Sequence, residues 1–188
     1  MLTNKEENER INKQEEIMDI NTVLTDKSIK PKEKIEILCK NLLDKNILID
    51  ELMEFAEKSK DSVKATCIES LEFASSKNPE IINPKCFKFI VDNLVSKAPR
   101  IKWECAKVIG NTAHLFKKNL DDAVKKLLEN ASYDGTVVRW SSAFALVKII
   151  KLKTKHNEII IQEITKILKK EDKNNIKKMY DEAIKNIN

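Results

Sequence analysis

IKWECAKVIGNTA, residues 101–113, decides the architecture, because versions of it recur at near-constant spacing. VKATCIESLEFA begins at Val63, VRWSSAFALVKI at Val138 and a shorter IKKMYDEAI at Ile176. These four starts are separated by 38, 37 and 38 residues. Each opens on a β-branched residue followed by Lys or Arg. Four positions on stand Cys67, Cys105, Ser142 and Tyr180; seven on, Ser70, Val108, Ala145 and Ala183; eight on, Leu71, Ile109, Leu146 and Ile184. Offsets of 0, 4, 7 and 8 mark one face of an α-helix. Small residues at two of them let neighbouring helices approach closely, so the repeat encodes a packing rule.

A second helical pattern follows each start. Phe87, Ile90, Val91 and Leu94 keep helical spacing after the first. Leu120, Ala123, Val124, Leu127, Leu128 and Ala131 do so after the second, and Ile160, Ile161, Ile164, Ile167 and Leu168 after the third. Asn83-Pro84 places a capping side chain before a proline at the first helical position. Asp134-Gly135-Thr136 reads as a turn, with Thr136 as N-cap of a helix starting at Val137. A stack of helix pairs repeating every 37–38 residues is an all-α superhelix, here of about four pairs, with a helix expected from Asn175 to Ile187 as a C-terminal cap.

This pattern resembles the HEAT repeat family, particularly its short bacterial and archaeal form with the consensus V-R-x-x-A-x-x-A-L-G. IKWECAKVIG fits it with Gly110 in the glycine position, and VRWSSAFALV with Val147 there instead. The resemblance covers residues 60–188 and, more weakly, 30–58. It implies a HEAT-like α-solenoid used as a binding or scaffolding module. The curved surface expected to hold a protein or peptide partner is that of the second helices. The expected organisation is a polar N-terminal segment or capping helix over 1–28 and a repeat domain over 29–188.

Composition agrees with a helical chain. Of 188 residues 35% are charged and 5% aromatic, with two glycines and four prolines. Sandwiches and barrels need many more turn residues. No apolar run approaches the roughly 18 residues of a membrane span, so no membrane association and a cytoplasmic location are expected. Cys39, Cys67, Cys86 and Cys105 lack the spacing of zinc ligands and read as buried thiols.

Catalytic chemistry has little to stand on. His114 and His156 lack partners at triad or ligand spacing, and two glycines cannot build a phosphate loop. The His-Glu pairs with which HEAT-type hydroxylases hold iron are missing. No catalytic residue, metal or cofactor is assigned, and the chain reads as a non-enzyme.

The candidate binding surface comprises Trp103, Arg139, Trp140, Lys148, Lys151 and Lys155. Trp103 and Trp140 share one offset, which predicts that they lie side by side. The favoured reading packs them between repeats; the other exposes them beside Lys102 and Arg139 to grip a peptide or stack on bases. HEAT-like DNA glycosylases use tryptophans and basic residues in this way, but their catalytic acid maps to no residue here. Lys64, Lys102, Arg139 and Lys177 recur at one offset, a line of charge that serves either neighbouring carbonyls or an anion. Net charge is +5 overall. Residues 135–157 hold no acid, and Lys148, Lys151 and Lys155 share a face if their helix extends that far. Nucleic acid is therefore the alternative partner.

Overall fold

The computed structural model describes residues 19–186. Within them the chain is helical, with no strand among the described residues. A short α1 (Ile20–Thr25) leads into α2 (Pro31–Leu43) and α3 (Ile49–Lys58), then α4 (Asp61–Lys77) and α5 (Pro84–Asn93). The pairs α6 (Pro99–Thr112) with α7 (Asp121–Asn130) and α8 (Thr136–Ile150) with α9 (Asn157–Leu168) follow, and α10 (Asn174–Lys185) ends the stack. Four pairs and a terminal helix match the sequence expectation. Single 3₁₀ turns, Pro79–Ile81 and Lys117–Asn119, link α4 to α5 and α6 to α7.

Helix boundaries follow local chemistry. Asn83 accepts a 2.8 Å hydrogen bond from the Cys86 N–H, and Pro84 occupies the first helical position, where no backbone donor is needed. Pro31 and Pro99 likewise take the first helical position of α2 and α6, there without a side-chain cap. At α8 the reading needs correction: Thr136 is the first helical residue, and Gly135 before it caps with no side chain. Asp19 caps α1, and Ile20 and Val23 are buried. The rest of the expected capping segment, residues 1–18, lies outside the described residues.

The two rows of helices pack unequally. α2, α4, α6, α8 and α10 lie against one another in sequence, closely from α2 to α8, whereas α3, α5, α7 and α9 touch sparsely. The small-residue positions explain this. Cys67, Ser70, Cys105, Ser142 and Ala145 are fully buried between neighbours, so the helices that carry them can approach. Large residues one position later, Leu71, Ile109 and Leu146, are buried with them, each stabilising by about 1.5–3 kcal/mol. A stack whose rows differ in spacing bends toward the closer row. The inner side is therefore lined by α4, α6 and α8, the first helices of the pairs, and not by the second helices.

Candidate binding surface

The inner row carries a second set of recurring offsets, two, six and ten residues after each repeat start. On α6 these are Trp103, Lys107 and Asn111; on α8 they are Trp140, Phe144 and Lys148; on α4, Glu69 and Phe73 stand at the last two. Spaced by four, they lie on the face opposite the core positions. All are partly buried except Lys148, which is exposed.

On α8 these side chains form a continuous line. The rings of Trp140 and Phe144 stack, with centroids 5.9 Å apart and planes inclined by 10°. Lys148 Nζ stands 5.6 Å from the centroid of the Phe144 ring. One turn before Trp140, Val137 is 51% exposed and extends the apolar strip. Trp140 also packs against the core, whereas Trp103 does not join it. Phe144, rather than Trp103, is the ring that Trp140 meets. Trp103 is half-buried and donates from Nε1 to Glu104 Oε1 at 2.6 Å.

Between α4 and α6 the inner row is polar. Lys107 Nζ lies 3.0 Å from Glu72 Oε2 and 3.1 Å from Glu104 Oε2. Both carboxylates are buried. Burial pushes the Glu104 carboxyl above its ordinary range, with Lys107 and the Trp103 N–H opposing that push. Arg100 pairs with Glu69 beside this cluster. Asn111 Nδ2 makes only long bonds of 3.3–3.5 Å, to Ser75 Oγ and to the backbone and side chain of Glu72.

The sequence-derived basic residues separate into different environments. Arg139 turns away from Trp140 toward the loops. It donates to Glu171 from Nε at 2.9 Å and from Nη2 at 3.1 Å, to Asp172 at 3.0 Å, and to the Tyr133 and Asp134 carbonyls. Lys102, its counterpart one repeat earlier, donates to the Leu94 carbonyl and Asn130 Oδ1. Lys155 does not share a face with Lys148 and Lys151. α8 ends at Ile150, Lys153 takes a left-handed φ of 51°, and Lys155 pairs with Asp121 of α7 at 2.7 Å. Lys148 and Lys151 remain exposed, with no carboxylate among the described residues bound to either.

A depression of about 270 Å³ lies beyond Phe144, where α4, α6 and α8 end. Lys148, Asn111, His114, Ser75 and Ser76 supply its polar lining, and no acidic residue among the described ones lines it. On the outer row a larger groove, about 490 Å³, runs between α7 and α9 past Val124, Leu128 and Ile159. All four cysteines are buried thiols, and burial raises Cys67 and Cys86 to about 12. Among the described residues no group of three His, Cys, Asp or Glu is arranged to hold a metal ion. No helix among them is long and apolar enough to cross a membrane.

Sequence reasoning missed Phe144, Lys107 and Asn111. The signal was present in the repeat alignment as the four-residue spacing after each tryptophan, on the face that the core offsets leave free.

Solved structures share this architecture. An engineered protein is similar at 20% identity and a TM-score of 0.72, over 89% of this chain and 79% of that one. A computationally designed armadillo repeat protein for modular peptide recognition is similar at 13% identity and a TM-score of 0.70, over 90% and 81%. A designed armadillo repeat protein in complex with the peptide (KR)4 is similar at 16% identity and a TM-score of 0.66, over 90% and 80%. At such identities the likeness establishes the fold, a helical-repeat solenoid. No protein-family model matches the sequence, and no curated protein matches it.

Proposed function

We propose that this chain is a non-catalytic HEAT-like scaffold whose inner helical row holds a peptide segment of a protein partner. The observation that carries the reading is the partly exposed line Val137–Trp140–Phe144–Lys148 along α8. An apolar strip ending in a cation offers a peptide side-chain contact and an orienting charge together. Repeats of two helices, with only a 3₁₀ turn inside two of the links, favour the HEAT type over a three-helix armadillo repeat. The solved armadillo designs for peptide recognition support the same use of the inner face by analogy of fold.

Nucleic acid has less in its favour. A phosphate backbone is held by a run of unpaired cations. Here Arg139, Lys102, Lys107, Arg100 and Lys155 are all engaged within the chain. Selection of a random displayed peptide library on the wild-type protein tests the proposal. Selected peptides should lose binding to Phe144→Ser, on the inner row, and keep it with Ile159→Ser, on the outer row. Equal binding to both variants would remove the inner row from the reading.

A further inference from the structure

The chemistry of the partner follows from how charge is distributed along the inner row. Its carboxylates lie at α4 and α6 and are paired within the row, three of them (Glu69, Glu72 and Glu104) sharing two cations, Arg100 and Lys107. Glu69 is held by Arg100, and Lys107 sits between Glu72 and Glu104. At α8 the balance reverses. Lys148 reaches over Phe144 into the depression beside it, and Lys151 is exposed immediately after the helix.

That depression adjoins the aromatic strip directly. Gly110 forms part of its wall and lies against the Phe144 ring, and Lys148 both lines the depression and stands over that ring. Its other polar groups are Asn111, whose amide makes long bonds to Ser75 and Glu72, the exposed His114, and the Ser75 and Ser76 hydroxyls, which donate to backbone carbonyls of α4. Three helix ends bring negative partial charge to this side, roughly half a charge each. Lys148, Lys151 and Lys153 together carry about twice that, so the local field stays positive.

We infer that the site takes an extended peptide in which an acidic side chain adjoins an apolar or aromatic one. The apolar residue lies on the Trp140–Phe144 strip, and the carboxylate enters the depression toward Lys148 and Asn111. This inference rests on the scaffold reading above and specifies its partner. It also sets the chain apart from the designed neighbour, whose peptide (KR)4 is basic.

The test is the same random peptide library selected in parallel on the wild-type protein and on Lys148→Glu with Lys151→Glu. Both lysines are exposed, so the doubly substituted chain should melt as the wild type does. Wild-type selections should be enriched in Asp or Glu next to a large apolar residue. Such a peptide should bind the variant about tenfold or more weakly, and selections on the variant should turn to Lys or Arg. Peptides that depend on Phe144 but carry no acid, or bind both proteins alike, would overturn the acidic partner and leave the scaffold standing. Selections that show no dependence on Phe144 would overturn both. Binding of a single-stranded polyuridine probe that Phe144→Ser and the lysine reversals both abolish would replace the peptide with nucleic acid.

Discussion

Gly110 of α6 lies directly beneath the ring of Phe144 of α8. A methyl group added at 110 would overlap that ring and come within 3.3 Å of the Ala145 Cα. The glycine that marks the repeat in the sequence thus acts one repeat further on, by leaving room for an aromatic side chain of the neighbouring helix.

Gly110→Ala should therefore move Phe144 and disturb its stacking on Trp140. Overpacking costs about 1–3 kcal/mol, while alanine regains roughly 1 kcal/mol of helix propensity. A small net loss of stability is expected, with a clear change in tryptophan fluorescence. In a Phe144→Ala background the same substitution should stabilise, and denaturant titration of the four proteins in the cycle measures the reversal.

Arg139→Ala should be among the more damaging single changes. The Glu171 side chain is 1% exposed and accepts two hydrogen bonds from that guanidinium. Without Arg139 that buried carboxylate keeps the Asp172 and Lys173 N–H groups but loses its counter-charge, at a cost on the order of 3 kcal/mol. Lys155→Ala, at an exposed pair, should fall within about 0.5 kcal/mol of the wild type. Urea unfolding at neutral pH separates the two.

The stability of the chain should depend on pH through Glu104. Its carboxyl titrates above 4.5, its unperturbed value, in the folded protein, so the folded state holds this proton more tightly than the unfolded chain does. Stability linked to it is complete at low pH and is lost as pH rises through the raised value. Relative to Glu104→Gln, the wild type should lose stability as the medium goes from below pH 4.5 to neutrality. A difference that stays constant across that range would show that Glu104 is not perturbed.

The four thiols should resist labelling in the native state. Each is buried, and Cys67 and Cys86 ionise only near 12. Modification by a maleimide should proceed at the rate at which the chain opens, and urea should accelerate all four. Fast labelling of Cys67 in native buffer would contradict its place between α4 and its neighbours.

Much of the architecture was legible because repetition turns one local pattern into a rule. The small residues Cys67, Cys105 and Ser142 announced the close row, and Asn83-Pro84 announced a helix start. What escaped the sequence were outcomes of competition between neighbours. Nothing in residues 148–155 signals that Lys153 adopts a left-handed backbone, which ends the basic helical face and sends Lys155 to Asp121. The destination of Arg139 depends on Glu171, 32 positions away, which only the stacking brings near. The inner side was misread for a similar reason. The second helices α5, α7 and α9 are the clearly amphipathic ones and so draw the eye, whereas α4 and α8 bury residues around most of their circumference, as the compressed row must.

The loosely packed outer row has a mechanical consequence. Helices separated by a groove such as that between α7 and α9 can draw together or part with little loss of contact, whereas α6 and α8 cannot slide without disturbing a filled interior. The stack is therefore compliant in bending and stiff along its inner edge, like a leaf spring fixed on one side. A partner seated against α8 would work against that spring, and the width available to it would adjust without any repeat unfolding.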